Sequence, residues 1–139
     1  MPRAKPQART AGTSDARSYL EKAQEFLRAA QYSLELSSYT AAVGNAVHAG
    51  IAAGDALSAA RTRTVWRGEH AQAARHLEGA GDEGRHAARQ LRRLLPMKTR
   101  AEYDPAPMKA ADARTAVQAA ERMVALAVQA LASVAGDHK

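Results

Sequence analysis

The chain has 139 residues, no cysteine and a formal net charge of +6, with 20 Lys and Arg against 14 Asp and Glu. The length predicts one domain, and the lack of cysteine excludes a disulfide framework and thiolate chemistry. The longest apolar run falls far short of the ~20 residues that a membrane helix needs. The start of the chain also lacks the hydrophobic segment of a secretory signal, so we predict a cytoplasmic protein without membrane contact.

Apolar residues recur at helical spacing in most of the chain. Residues 1–13 are basic and contain prolines, which predicts a flexible N-terminal arm. The predicted helices span residues 15–36, 39–62, 69–79, 83–95 and 107–135. Ser14 or Asp15 is expected to cap the first helix, and Pro96 is expected to end the fourth, ahead of an ordered loop. Since no strand pattern is found, we predict an all-α antiparallel up-and-down bundle of four or five helices, one domain over 14–136.

The positive charge is concentrated in one part of the chain. Residues 61–100 hold ten Lys and Arg against four acidic residues, whereas the flanking parts are nearly balanced. On the predicted fourth helix and just after it lies a set of cationic residues, here called the basic stripe: Arg85, Arg89, Arg92, Arg93, Lys98 and Arg100. Guanidinium groups match phosphate oxygens, so this segregation predicts an anionic partner such as RNA, DNA or a nucleotide. The alternative is a solvated helix face in an arginine-rich composition.

The second predicted helix carries polar residues in an alanine-rich setting. Asn45, His48 and Asp55, here called the polar trio, fall within about 80° of one another at helical periodicity. They indicate a polar cleft or a subunit interface, and the alternative is a partly exposed face with ordinary hydrogen bonds.

The connection after this helix combines arginine and histidine, as Arg63 is followed by Arg67 and then His70. Cleavage of a phosphodiester without a metal needs a general acid or base near neutral pH and a cation beside the phosphate. We therefore take Arg63, Arg67 and His70 as candidate catalytic residues. The alternative for His70 is a residue that packs on Trp66 at the start of a helix. Glu83 and His86 have the spacing used in di-iron bundles, but such sites need two of these pairs and two further glutamates, so we predict no metal.

Several of these segments together resemble the HEPN superfamily, the "higher eukaryotes and prokaryotes nucleotide-binding" helical bundles. The resemblance covers roughly residues 15–135. It rests on AQEFLRAAQ, SYTAAVGNAVHAGIAAGDALSAA, GEHAQAARHL and RQLRRLLPMKTRAEYD. The most specific parts run from Tyr39 to Leu57 and from Lys98 to Tyr103.

The resemblance implies a homodimer whose active members carry an Arg and His motif in a cleft at the dimer interface. Many such proteins are metal-independent ribonucleases of toxin–antitoxin and defence systems, often paired with a nucleotidyltransferase-type antitoxin. By this resemblance Arg63 and His70 would form the motif, with RNA or a nucleotide as ligand and no cofactor. However, Thr64 follows Arg63 where the family usually has Asn, Asp or His, and Gly68 places the pair across a connection. A catalytically silent bundle that binds nucleic acid or a protein therefore stays open.

The small residues of the second helix also predict how a dimer forms. Ala41, Gly44, Ala52 and Ala59 surround the polar trio and would permit close approach of another helix. We expect this helix to lie at or beside a two-fold interface, because the same patch can then meet itself.

Overall fold

The computed structural model describes residues 7–136, which fold into five helices and one small sheet. The helices are α1 (Thr13–Glu35), α2 (Tyr39–Thr62), α3 (His70–Glu78), α4 (Gly81–Tyr103) and α5 (Ala110–Gly136). The strands are β1 (Ala8–Thr10) and β2 (Thr64–Trp66). The predicted all-α helical bundle is confirmed, and none of the helices in this part of the chain is long and apolar enough to cross a membrane.

Helix α1 begins close to its predicted start. Its first residue is Thr13, and the backbone N–H of Gly12 donates to Asp15 Oδ2 at 2.8 Å. Asp15 therefore lies in the first turn, where a carboxylate is favoured by the helix dipole, and is not the residue that precedes the helix. Buried alanines recur every seven residues along α1, at Ala16, Ala23 and Ala30, so that a narrow strip of small side chains faces α2.

Helix α2 is the centre of the bundle and packs against α1, α4 and α5. Fourteen of its 24 residues are buried, and they are distributed around most of its circumference. A helix that is apolar on nearly all sides must be covered by its neighbours. Small residues make this possible: a Cβ at Gly50 would overlap Leu94 Cδ1 and would lie 3.2 Å from Met123 Sδ.

The structure also contains one small sheet, for which no pattern was found in the sequence. Strand β1 pairs antiparallel with β2, in a register that matches Ala8 with Trp66 and Thr10 with Thr64. Each strand has only three residues, too few for alternating hydrophobicity to be recognised in the sequence. Residues 1–6 of the predicted flexible arm lie outside the described residues, and β1 belongs to the remainder of that arm.

The prediction that Pro96 ends the fourth helix is wrong, because α4 continues through this residue to Tyr103. Beyond the proline, Met97 and Ala101 pack against the main core. Lys98 also forms an ion pair with Glu102, one turn further on, at 3.1 Å. Packing of this last part therefore outweighs the hydrogen bond that the proline cannot make.

The hydrophobic core has two separate parts. The larger lies between α1, α2, α4 and α5 and includes the fully buried Leu57 and Leu94. The smaller lies beneath the sheet and contains the buried residues Ala11, Ala16, Ala59, Ala60 and Val65. Strand β2 and the segment that follows it are thus fixed beside the C-terminal half of α2.

Candidate functional site

A cleft of about 320 Å³ opens between α2, α3, α4 and the segment that joins β2 to α3. Helix α2 contributes four of its lining residues at a spacing of three and four, which places them on one face: Ile51, Gly54, Asp55 and Ser58. Helix α3 does the same with a second set: His70, Ala73, His76 and Leu77. Leu91 of α4, Trp66 at the end of β2 and the joining residues Arg67 and Gly68 complete the lining. The cleft is therefore mainly apolar, with a few polar groups, as small-molecule sites usually are.

Arg67 is held in place by several neighbours. Its Nη1 lies 3.3 Å from both carboxylate oxygens of Asp55 and donates to the carbonyl of Trp66 at 2.7 Å, and its Nη2 donates to the hydroxyl of Tyr19 at 2.8 Å. The guanidinium carbon also lies 5.6 Å from the centre of the Tyr19 ring. The side chain remains 41% exposed. Arg67 can therefore present its charge to a ligand without first being ordered.

Asp55 lies deeper, with 16% of its side chain exposed. Burial raises the pKa of its carboxyl above the usual value, and the Arg67 guanidinium opposes that rise. Asp55 and Arg67 therefore form one polar unit at the edge of the cleft, in which the guanidinium favours the charged carboxylate.

His76 is a cleft residue that the sequence analysis did not select. Its Nε2 lies 3.3 Å from Ser58 Oγ and 3.2 Å from Thr64 Oγ1, and its ring centre lies 5.3 Å from that of Trp66. Burial lowers the pKa of His76 below 6.5, which favours the neutral ring at pH 7. A helical projection of α3 could have found it, since His76 adjoins the inward positions of Ala73 and Leu77.

The three candidate catalytic residues do not all meet in this cleft. Arg67 and His70 both line it, and His70 is exposed as the first residue of α3. Arg63 is not among the lining residues. It caps α2 in the left-handed conformation with φ 57°, and its Nη1 donates to Thr13 Oγ1 at 2.6 Å. The ring of His76 lies against that of Trp66, with the two ring planes tilted by 33°.

The polar trio is divided between two places. Asp55 lines the cleft, whereas Asn45 donates to the carbonyl of Ala41 at 3.0 Å and His48 lies with its ring 5.2 Å from that of Phe26 on α1. The expectation that Ala52 and Ala59 are open to a partner is wrong, because α2 is surrounded by other helices and both alanines are at most 5% exposed. Ala41 is exposed, and a Cβ at Gly44 would meet nothing within 4 Å.

Most of the basic stripe is engaged in ion pairs. Arg85 pairs with Asp82 and Arg92 with Glu78, while Lys98 and Arg100 lie 3.1 Å from Glu102 and 3.5 Å from Asp112. Arg89 and Arg93 are exposed and have no acidic partner within ion-pair distance among residues 7–136. These two therefore offer the charge of the stripe that is not neutralised locally.

Glu83 is engaged in the fold through an ion pair with Arg61. Two hydrogen bonds of 2.9 Å join the guanidinium of Arg61 to the Glu83 carboxylate, which connects the end of α2 to the start of α4. Within the described part of the chain, no three His, Asp or Glu side chains form a group that could hold a metal ion.

Comparison with known proteins identifies the family. The family model of the HEPN domain matches residues 16–131. The fold is similar to the crystal structure of TT1696 from Thermus thermophilus, with 25% identity and a TM-score of 0.60, over 83% of this chain and 97% of that one. No curated protein gives a significant match. The family match covers most of the chain and all of the helical bundle except its two ends, and the chain belongs to the HEPN domain family.

Proposed function

We propose that this HEPN protein is a cytoplasmic, single-domain RNA- or nucleotide-binding protein, and that a nucleobase enters the cleft between α2, α3 and α4. The observation that carries the proposal is the composition of the cleft. An indole, Trp66, and apolar helix faces adjoin one preoriented cation, Arg67, and two histidines. Aromatic rings stack on bases of any sequence, and a guanidinium binds phosphate oxygens.

The arrangement of charged residues also indicates where the phosphates of the ligand would lie. Arg67 and His70 belong to the segment at the edge of the cleft, so a phosphate attached to the bound nucleoside would lie against them. The unpaired cations Arg89 and Arg93 lie two residues on either side of Leu91, which turns them about 160° away from the face of α4 that lines the cleft. They would therefore attract RNA phosphates on the outer face of α4, at a distance from the bound nucleoside.

A fluorescence titration tests this proposal at the site itself. Trp66 is the only tryptophan of the chain, so its emission reports on the cleft alone. Titration with nucleoside monophosphates and with a single-stranded RNA decamer should give a saturable change. Arg67→Ala should weaken binding by about tenfold to a hundredfold, since hydrogen bonds to charged groups contribute about 1.5–3 kcal/mol. Arg122→Ala on α5 is the matched control and should bind normally. An emission that does not respond to any of these ligands would contradict the proposal.

Salt dependence separates phosphate contacts from stacking. Affinity for the decamer should fall steeply as salt increases, because phosphate contacts release counterions. Replacing Arg89 and Arg93 together by glutamate should reduce the salt slope. Binding that is independent of salt would exclude a role for the basic stripe.

A second candidate function is metal-independent cleavage of RNA, in the manner of a toxin–antitoxin or defence ribonuclease. The observation that favours it is that Arg67 and His70 line one cleft. A histidine would take the proton of a ribose 2′-hydroxyl, whose oxygen attacks the adjacent phosphorus. The 5′-oxygen then leaves with the proton that the histidine had accepted, and a cyclic phosphate remains, while Arg67 stabilises the phosphorane charge. Cleavage should persist with a chelator and be lost in His70→Ala.

A catalytically silent module is the alternative to cleavage, and it is favoured by the position of Arg63. The guanidinium of Arg63 donates to Thr13 and lies outside the cleft. In this alternative, the partner of the domain is nucleic acid or a protein such as a nucleotidyltransferase-type antitoxin. His70→Ala should then bind RNA as tightly as the unchanged protein does, and neither should cleave it.

We also propose a homodimer, formed through the exposed part of α2 around Ala41, Gly44, Asn45 and His48. Light scattering at micromolar concentration should give about twice the chain mass. Ala41→Arg should yield a monomer, and Ala125→Arg on the exposed side of α5 is the matched control. The buried Ala52 is unsuited to this experiment because an arginine there would disrupt the core.

A further inference from the structure

We infer that β1 is a positioning strand of the cleft: its pairing with β2 sets the positions of Trp66 and Arg67. The consequence for ligand affinity rests on the proposed function, whereas the positioning itself does not. No residue of β1 lines the cleft, so the strand would act through the segment that it holds.

The backbone contacts extend along the whole of the segment. The N–H of Ala11 donates to the carbonyl of Arg63 at 2.9 Å, before β2, and the N–H of Arg67 donates to the carbonyl of Gln7 at 2.7 Å, after it. The ladder between them pairs Arg9 with Val65. Every residue from Arg63 to Arg67 is therefore paired with a residue of the N-terminal segment.

Side chains reinforce this attachment at the end nearest the cleft. A Cβ at Gly68 would overlap the Gln7 side-chain oxygen and would lie 2.5 Å from Trp66 Cζ2. The indole nitrogen of Trp66 donates to the carbonyl of Glu69 at 2.9 Å. Gln7, Gly68 and the indole thus form one packed turn, and this turn presents the aromatic wall of the cleft.

The strand is attached more weakly than the bundle itself. A pair of three-residue strands is marginal in isolation, and the apolar residues that pack beneath it form only the small cluster around Ala11 and Val65. The larger core includes no residue of β1. Local opening of β1 should therefore occur without unfolding of the helices.

Alternation along the ladder supplies a matched set of variants. In an antiparallel pair, hydrogen-bonded and non-bonded positions alternate. Gln7 and Ala11 both form hydrogen-bonded pairs with the β2 segment, so Arg9 occupies the hydrogen-bonded position between them. The N–H groups of Ala8 and Thr10 point away from β2. Arg9→Pro removes a ladder bond, whereas Thr10→Pro does not, and Arg9→Ala controls for the lost charge.

Emission and acrylamide quenching of Trp66, measured in the full-length chain, give the test. Arg9→Pro should shift the emission to longer wavelength and increase quenching about twofold, with helical circular dichroism unchanged, while Arg9→Ala and Thr10→Pro should match the unchanged protein. Should Arg9→Pro fail to fold, Arg9→Gly weakens the strand through backbone entropy and should give a smaller shift in the same direction. Unchanged emission in the folded variant, or equal shifts in Arg9→Pro and Thr10→Pro, would overturn the inference.

Affinity for the nucleoside monophosphates is the second measurement. If the proposed function holds, Arg9→Pro should weaken binding about tenfold, within the usual range of coupling between sites, and the two controls should not. Equal affinity despite a shifted emission would show that the cleft does not depend on β1 and would overturn the coupling. Absence of binding in the unchanged protein would reject the proposed function, and the emission shifts would still decide the positioning.

Discussion

Two glycines of α2 receive opposite predictions for the same substitution. A Cβ at Gly44 would meet nothing within 4 Å, whereas a Cβ at Gly50 would overlap Leu94 Cδ1 and lie 3.2 Å from Met123 Sδ. Both side chains that Gly50 faces are almost fully buried, at 0% for Leu94 and 1% for Met123. They cannot move aside without disturbing the core.

The magnitudes decide the sign of each effect. Alanine is favoured over glycine in a helix by about 0.8–1 kcal/mol, so Gly44→Ala should stabilise the protein by roughly that amount. Overpacking a core costs about 1–3 kcal/mol, so Gly50→Ala should destabilise it by up to roughly 2 kcal/mol after the helix gain is subtracted. For a domain of this size, 1 kcal/mol corresponds to about 4 °C in melting temperature.

Thermal and urea unfolding of the two variants measures the difference. The double variant Gly50→Ala with Leu94→Ala should lose less stability than the sum of the single changes, because the new methyl group occupies space that the leucine leaves. If Gly50→Ala is as stable as Gly44→Ala, the close approach of α2 and α4 is refuted.

Three further predictions concern the cleft and α4. Folding lowers the pKa of His76 below 6.5, so the unfolded chain binds this proton more readily, and stability should fall as pH decreases from 6.5 towards the folded pKa. In His76→Gln, the free energy of unfolding measured in urea should lose this dependence on pH. A variant whose free energy of unfolding still falls by the same amount between these pH values would contradict the prediction. Burial raises the folded pKa of Asp55 above 3.8, so this group stabilises the fold below pH 3.8, and that contribution is lost as pH rises through the folded pKa. Asp55→Asn should therefore raise the melting temperature at pH 7. A lower melting temperature would show that the ion pair with Arg67 outweighs the cost of burial. Pro96→Ala restores an N–H inside α4 and should stabilise the protein by about 1 kcal/mol in urea unfolding. This is less than the ~3 kcal/mol that a proline costs inside a regular helix, because α4 already accommodates the proline.

The sequence predicted the helices well, since long periodic segments carry a strong signal. Helix α2 was predicted over its observed span, and α1, α3 and α5 begin or end within a few residues of their predicted limits. The end of α4 was predicted wrongly at Pro96, because the tendency of proline to end a helix is outweighed by the packing of Met97 and Ala101. The strands were missed because three residues show no periodicity, and their pairing depends on backbone groups that the sequence does not distinguish.

The cleft was predicted only in part, for a related reason. Arg67, His70 and Asp55 were selected by their chemistry, and they do line one cleft. Trp66 and His76 were not selected, because their role follows from how the β2 segment and α3 are placed against each other. Arg63 was selected by its spacing from His70, but the left-handed cap at the end of α2 directs its side chain to Thr13. A separation in sequence cannot show the direction of such a turn.

The single indole resonance of this protein offers the most direct test of the central claim, that the cleft between α2, α3 and α4 binds a nucleotide. Trp66 is the only tryptophan, so its Nε1–H gives one resolved peak in a proton–nitrogen correlation spectrum, and this group donates to Glu69 at the edge of the cleft. Titration with nucleoside monophosphates should shift the peak along a saturable curve with the affinity found by fluorescence. A ligand that moves backbone peaks elsewhere while the indole peak stays in place would contradict the claim.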